Sequence, residues 1–205
     1  MSNDLGFRFK AFDDQLLASI VVFESARTNL EYANPLYEAG VSAPNVVESF
    51  FDGEEQTKGV EIDLNAYLND QWKVNFNGVY QDARDKTNPN STSFDTRQKG
   101  VPYVTASSWV TYSAALFELP HAVDLSAGLT FVDKRSTNSS SFGIDNGYVP
   151  AYTVYDAAVS YKADNWQMQL NINNLFNKKY YSKAMFLGGM PGEERNAKLS
   201  FSYTL

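Results

Sequence analysis

The sequence contains no cysteine and a single histidine, His121, among its 205 residues. The absence of cysteine excludes a disulfide scaffold, thiolate metal sites and a cysteine nucleophile. One histidine excludes most histidine-based metal sites and histidine-pair catalysis. Apolar runs are far too short for a membrane helix, so no transmembrane helix is predicted. The amino-terminal residues show no basic segment followed by an apolar one, so no export signal is predicted there.

Basic residues are in the minority, with 17 Lys and Arg against 24 Asp and Glu and a net charge of −7. This balance argues against a nucleic-acid-binding protein, which would need a basic stripe. Phosphate-binding loops, nucleophile elbows and zinc-protease motifs are missing as well, so we expect neither an enzyme nor a metal site. His121 follows Pro120 and is interpreted as an exposed turn residue.

Alternation of apolar and polar residues is the strongest positive signal. It is clearest at 165–175, where every second residue from Trp166 to Ile172 is apolar. A period of two predicts a strand with one apolar and one polar face. Similar patterns, some of them less regular, lie at 5–12, 15–23, 60–68, 72–80, 103–116, 123–131, 155–161 and 197–205. The sequence therefore predicts an all-β fold of about nine strands.

The connections between these segments alternate between short and long. The short ones are at 13–14, 69–71, 118–120 and 163–165, and the long ones at about 25–57, 83–102, 133–150 and 177–194. Outer-membrane barrels have short turns at one end and long loops at the other, whereas soluble sheets use short hairpins at both ends. The alternation favours a membrane barrel.

Aromatic residues lie near both ends of the predicted strands. Trp72 and Trp166 follow short turns, and the ends that enter long loops carry Tyr80, Tyr103, Phe131, Tyr152 and Phe176. Two aromatic belts at opposite strand ends are typical of a barrel wall in lipid. On the aromatic residues alone, the core of a soluble sandwich is the alternative.

Residues 171–181, NINNLFNKKYY, followed by PGEER at 191–195 and a final alternating strand, resemble the carboxyl end of TonB-dependent outer-membrane receptors. Segments 22–24 with 27–29, 59–61 and 149–161 are similar to the ferric-siderophore branch. The resemblance implies an antiparallel up-and-down transmembrane β-barrel segment, about nine strands of the 22 in such barrels. We expect residues 1–205 to be the C-terminal portion of that barrel, without its plug domain.

The matching residues also have local interpretations. Asn173 and Asn174 can bond neighbouring backbone where the strand ends, and Leu175 with Phe176 can anchor the upper rim. Pro191–Gly192 can supply a fixed φ and then a permissive one for the last turn. We expect these residues to build the wall rather than to contact substrate.

The resemblance implies TonB-energised uptake of ferric siderophores in the outer membrane of a Gram-negative bacterium. The expected partners are outer-membrane lipid, a ferric siderophore as the transported ligand, and TonB through the missing N-terminal part; no cofactor is expected. The candidate ligand-binding residues are Tyr80, Tyr103, Tyr152 and Phe186, because aromatic rings suit the envelope of a ferric chelate. Two positions depart from the family, which commonly has proline at Glu194 and an aromatic residue at Leu205.

Two alternatives remain at this point: a complete small outer-membrane barrel with a structural or adhesive role, and a soluble lipocalin-like binder. An open nine-stranded sheet in lipid would leave roughly ten unpaired backbone groups along each edge at several kcal/mol each, so the chain alone is not expected to transport. The acidic segment from Glu31 to Glu55 contains six carboxylates and no Lys or Arg. It could order around calcium, but an exposed, solvated loop is the preferred interpretation.

Overall fold

The computed structural model describes residues 1–34, 36–37, 46–87, 94–116, 119–137, 147–185 and 188–204. Within these ranges the chain forms β1 (Ser2–Ala11), β2 (Leu16–Ala33), β3 (Ser49–Tyr67), β4 (Trp72–Asp85), β5 (Val104–Ala114), β6 (Val123–Val132), β7 (Arg135–Ser136), β8 (Tyr148–Val149), β9 (Tyr152–Lys162), β10 (Trp166–Asn173), β11 (Tyr181–Met185), β12 (Gly188–Pro191) and β13 (Asn196–Tyr203). None of the described residues belongs to a helix long and apolar enough to cross a bilayer.

Nine strands form one antiparallel sheet in the order β1-β2-β3-β4-β5-β6-β9-β10-β13. The strands follow one another in an up-and-down meander, as predicted, and the two small hairpins β7–β8 and β11–β12 lie in long connections. In the part of the chain that the structure describes, β1 and β13 are not paired with each other. The nine strands therefore form an open sheet, which does not support a complete small barrel.

Short and long connections lie at opposite ends of this sheet, which confirms the predicted asymmetry. The short connections follow β1, β3, β5 and β9 and define the tight-turn end; the long ones follow β2, β4, β6 and β10 and define the loop end. The hairpins β7–β8 and β11–β12 are both at the loop end because they lie inside the connections after β6 and β10.

The predicted loop at 25–57 is wrong, because β2 and β3 continue far into it. Their pairing runs on to Tyr32↔Phe50 and Ala33↔Ser49, with irregular register after Arg27. Beyond Val22 and Val60 the alternating apolar stripe ends, so the sequence pattern no longer marks a strand there. The backbone hydrogen bonds of the ladder extend the strands without it.

The register places the apolar residues of all nine strands on one face. Leu170 of β10, for example, is paired with Leu199 of β13 and Val159 of β9. Other members of this apolar face are Leu5, Phe7, Phe9, Ile20, Val22, Val60, Ile62, Leu64, Val74, Phe76, Val110, Leu125, Leu129, Met168 and Phe201.

No second layer covers the apolar face within the described ranges. Phe7 is 68% exposed and Phe201 67% exposed, and the buried apolar side chains among the described residues are four alanines and three valines. A soluble lipocalin-like binder would seal these side chains inside, so that alternative is not supported. Apolar side chains directed outward from a single sheet are what a lipid-facing barrel wall requires.

The opposite face is mainly polar and forms hydrogen bonds between neighbouring strands. Ser113 donates to Asp124 at 2.6 Å, Ser107 donates to Asn77 at 3.0 Å, and the hydroxyls of Thr111 and Ser126 are 2.9 Å apart. These pairs satisfy side chains that would be costly to bury in lipid.

Two rings also lie on the polar face, each packed on a glycine of the next strand. A Cβ at Gly59 would overlap the ring of Phe23, and one at Gly128 would overlap the ring of Trp109. Glycine at these positions is required by the close approach of the rings, an arrangement that compensates for the missing side chain.

Aromatic belts lie at both ends of the apolar face. At the tight-turn end the ring of Trp72 is 4.7 Å from Tyr112, and Trp166 lies 5.3 Å from Tyr161 and 6.1 Å from Phe201. The predicted positions of Trp72 and Trp166 in the aromatic belt at the tight-turn end are thereby confirmed.

The aromatic belt at the loop end contains only some of the residues predicted for it. Tyr80 faces the apolar side, and Phe176 packs edge-on against Tyr155 at 5.4 Å. Tyr152 is not a belt residue, because its pairing with Val132 places it on the polar face. Strand-end position alone could not tell which side of the wall this ring occupies.

Candidate functional site at the loop end

The chain leaves β10 through a corner organised by Asn174, which is 4% exposed. Its side-chain amide donates to the carbonyl oxygens of Lys178 at 2.8 Å and Glu193 at 2.9 Å, and its oxygen accepts from the backbone N–H of Lys178 at 2.8 Å. The backbone N–H of Asn174 donates to the Asp156 carboxylate at 2.8 Å. The predicted role of Asn174 as a backbone-bonding corner residue is confirmed.

Neighbouring asparagines complete the corner. Asn177 accepts a hydrogen bond from the backbone N–H of Arg195 at 2.8 Å, which joins the corner to the start of β13. Asn173 donates to the side chain of Asn196 at 2.9 Å, so its predicted bond to neighbouring backbone is wrong. Asn173 is still in the β10–β13 ladder, where its backbone is already paired and its side chain meets the opposite residue.

Gly192 is required for a different reason from the one predicted. Its φ is not in the left-handed region. Instead, the ring of Tyr180 packs so closely on its backbone that a Cβ would overlap the ring, while the N–H of Gly192 donates to the carbonyl of Tyr180 at 2.8 Å. The turn into the last strand is fixed by this ring–backbone packing.

Among the described residues of the loop end, Arg135 of β7 is the most deeply buried charged residue, at 4% exposure. Its Nη1 donates to the carbonyl of Ser182 and its Nη2 to the carbonyl of Tyr181, both at 2.7 Å. Burial lowers the pKa of this guanidinium from its ordinary value. No carboxylate of the described residues forms an ion pair with it.

Two tyrosines lie beside this arginine. The Arg135 guanidinium carbon is 5.7 Å from the ring centroid of Tyr152, and the rings of Tyr152 and Tyr180 are 4.4 Å apart. A cavity of about 400 Å³ lies next to these rings and is also lined by Lys178 and Lys179. We call Arg135, Tyr152, Tyr180, Tyr181 and Ser182 the Arg135 cluster.

The long connection after β4 reaches the same cluster through Ser136. The backbone N–H of Gly100 donates to the carbonyl of Ser136 at 2.8 Å, and the Ser136 hydroxyl donates to the carbonyl of Gln98 at 3.4 Å. Gly100 has a φ of +79°, and a Cβ added at this position would lie 3.9 Å from Ala184 in β11. Three long connections, after β4, β6 and β10, therefore meet at the loop end.

A second aromatic group lies beside β4 and β5. The guanidinium of Arg97 stacks on Tyr103 with its carbon 3.2 Å from the ring centroid, and Tyr103 lies parallel to Tyr80 at 6.2 Å. Arg97 also donates to the carbonyl of Val101 at 2.6 Å. Stacking of this kind orients the planar guanidinium.

The structure brings together some of the candidate ligand-binding residues and separates others. Tyr80 and Tyr103 stack on each other, although Tyr80 faces the apolar side, whereas Tyr152 belongs to the Arg135 cluster on the polar side. Phe186 lies outside the described residues. Sequence reasoning missed Arg135 because a single arginine in a Ser- and Asn-rich stretch gives no periodic or motif signal.

Of the remaining sequence candidates, the acidic segment from Glu31 to Glu55 is described only in part, because Glu38 lies outside the described residues. Arg27 pairs with Glu55 at 3.3 Å, and Lys58 with Glu24 at 3.2 Å, along the extended β2–β3 hairpin. Within the described ranges, no three acidic or histidine side chains are grouped so that they could hold a metal ion. His121 is partly exposed at the tight-turn end, 3.4 Å from Asp164.

Comparison with known proteins identifies the architecture. Residues 2–175 match the family described as TonB dependent receptor-like, beta-barrel. The chain belongs to this family. The receptor barrels of this family lie in the outer membrane of Gram-negative bacteria, and the family consists of receptors and transporters rather than enzymes.

Individual relatives cover nearly the whole chain but only part of their own length. The probable TonB-dependent siderophore receptor PiuA of Acinetobacter baumannii is 26% identical over 193 residues, 88% of this chain and 23% of that protein. The ferrichrome outer membrane transporter/phage receptor of Escherichia coli K12 is 29% identical over 192 residues, 86% of this chain and 22% of that protein. The chain spans about a quarter of the length of these relatives.

Solved structures support the same fold. The crystal structure of BauA, the ferric preacinetobactin receptor from Acinetobacter baumannii, superposes with a TM-score of 0.78 at 19% identity and covers 98% of this chain and 29% of that one. The crystal structure of the siderophore receptor PiuA gives a TM-score of 0.75 at 23% identity, with 98% and 28% covered. The nine-stranded meander therefore has the shape of one section of a TonB-dependent receptor barrel.

Proposed function

We propose that this chain is the C-terminal barrel portion of an outer-membrane receptor that takes up ferric siderophores with energy supplied through TonB. The observation that carries the proposal is the family match over residues 2–175. The relatives support it, because they include a probable siderophore receptor, a ferrioxamine B receptor, a ferric-pyoverdine receptor and a ferrichrome transporter.

The exposed edges of the sheet support the view that more strands complete the barrel. All residues of β13 are exposed, and so are all residues of β1 except Ala11. In lipid, each unpaired backbone group costs several kcal/mol, so the roughly ten such groups along an edge strand would together exceed the ~5–15 kcal/mol by which native proteins are stable. We propose that further strands of the same receptor pair with both edges and that a plug domain fills the polar interior.

Among the candidate ligand-binding residues, we propose Tyr152 as the principal contact. It lies at the loop end, on the polar side of the wall, next to a cavity of about 400 Å³. Tyr103, on which Arg97 stacks and which lies parallel to Tyr80, is the second candidate. Tyr80 is proposed only as the support of Tyr103, since it faces the apolar side, and Phe186 is retained as a candidate from the resemblance.

The test is uptake of ⁵⁵Fe by cells that carry or lack the complete gene for this receptor. Cells grown without free iron receive ferric complexes of hydroxamate, catecholate and mixed-type siderophores, one at a time. We expect gene-dependent uptake of at least one complex and its loss when tonB is deleted. The proposal would be overturned if cells that carry the gene and contain the folded receptor took up every complex no faster than cells that lack the gene.

A further inference from the structure

Three long connections are held together at one point of the loop end. Arg135 bonds the connection after β6 to the hairpin after β10, through the carbonyls of Tyr181 and Ser182. The next residue, Ser136, bonds the connection after β4, through Gly100 and Gln98. Adjacent residues of β7 thus reach the two other connections.

We propose that Arg135 is a positioning residue that makes the described parts of these three connections, residues 94–103, 133–137 with 147–151, and 174–185 with 188–195, move as one body. Without the two bonds of Arg135, only packing would hold the hairpin β11–β12 to β7. The spacing between the connection after β4 and the connection after β10 would then no longer be fixed. Tyr152 and Tyr180 would lose the guanidinium beside them as well. This inference goes beyond the proposed function and does not require a siderophore.

The chemistry of the contact explains why an arginine is present. The two Nη groups of its planar fork donate to the carbonyls of successive residues, Tyr181 and Ser182. The rotatable donors of a lysine ammonium do not supply this fixed spacing and direction. Hydrogen bonds from a charged group are stronger than neutral ones, and burial increases the penalty for leaving the carbonyls unpaired. A lysine at position 135 would retain the charge and lose the two-pronged geometry.

The experiment uses pulsed electron spin resonance to measure the distance between the connection after β4 and the connection after β10. Spin labels are attached to Lys99→Cys and Lys179→Cys, two exposed positions that do not bond to Arg135. The chain has no cysteine of its own, and any cysteine elsewhere in the complete receptor is replaced by serine. The labelled receptor is measured with Arg135, with Arg135→Gln and with Arg135→Lys.

We expect a narrow distance distribution with Arg135 and one at least about twofold broader with either substitution. The matched control is Lys134→Gln, which removes the exposed neighbouring cation that lies over Tyr148 and should leave the distribution narrow. A second label pair at Asp70→Cys and Asp164→Cys, in two tight turns, reports on the wall and should not change.

An unchanged distribution in both Arg135 variants would overturn the proposal. Broadening of the tight-turn pair as well would also overturn it, because Arg135 would then support the wall rather than the loop end. The outcome is independent of the uptake experiment, since no ferric complex is present.

Discussion

Replacement of Asn174 by alanine should open the corner after β10. The substitution removes three hydrogen bonds, each worth about 1 kcal/mol. It also places alanine at a φ of +50°, which adds roughly 1–2 kcal/mol. The expected cost is therefore about 4–5 kcal/mol, with about 3 kcal/mol from the bonds alone.

Trypsin cleavage after Lys178 and Lys179 is the assay, because the corner must open before the protease can bind these residues. When opening is rapid and reversible, the cleavage rate follows the population of the open form. Since 1.4 kcal/mol corresponds to a factor of ten, Asn174→Ala should be cleaved about a thousandfold faster in the complete receptor. Asn174→Gly, which tolerates the positive φ, should be cleaved about a hundredfold faster.

Asn177→Ala is the matched control, because it has a similar φ of +51° and accepts only one bond, from the backbone N–H of Arg195. Its cleavage rate should lie well below that of Asn174→Ala. Equal rates for the two variants would show that the bonds of Asn174 do not hold the corner closed. The same conclusion would follow if Asn174→Gly were cleaved no faster than the unmodified receptor.

Three further outcomes are expected. Leu170→Lys places a charge on the apolar face and should destabilise the folded barrel by about 2–4 kcal/mol. Gln169→Lys on the polar face should change the stability of the barrel little. Heat-modifiable gel mobility across a urea series measures both. Gly128→Ala forces a methyl group into the ring of Trp109 and should cost about 1–3 kcal/mol in the same assay. Tyr152→Phe, with the ring retained, should transport iron with near-normal affinity, and Tyr152→Ala should raise the half-saturating concentration of the ferric complex about tenfold or more.

Each of these outcomes can be contradicted directly. Equal loss of folded receptor for the lysines at 169 and 170 would show that the two faces are not divided between lipid and interior. Recovery of stability when Gly128→Ala is combined with Trp109→Ala is required if the overlap is the cause. An unchanged half-saturating concentration for Tyr152→Ala would remove that residue from the proposed ligand site.

The wall was predictable from the sequence because lipid imposes a period of two. Strands such as β10 carry the pattern over their whole length, and their cross-strand partners carry it too. The upper parts of β2 and β3 were not predictable, because Glu24 and Lys58 continue the apolar row as a charged pair. There, backbone pairing and cross-strand ion pairs maintain the strands, and the composition resembles that of a loop.

At the loop end, the role of a residue was predictable only where its side chain forms hydrogen bonds with backbone groups close to it in the sequence. Asn174 could be assigned a corner role because asparagine bonds nearby backbone groups. The bonds of Arg135 span more than 40 residues of sequence, and such a separation leaves no periodic trace. Tyr152 lies three residues from Tyr155 in β9 and therefore faces the opposite side of the wall, but the alternating segment predicted at 155–161 did not include it.

The meander order of the sheet means that hydrogen bonds join each strand only to strands next to it in the nine-strand series. Removal of one hairpin, such as β4 with β5, would leave β3 and β6 in the antiparallel orientation needed to pair with each other. The circumference of such a barrel can therefore change by duplication or deletion of two strands at a time, and its diameter grows with the strand number. The pore can thus be resized through gene-level gains or losses of hairpins, without redesign of the remaining wall.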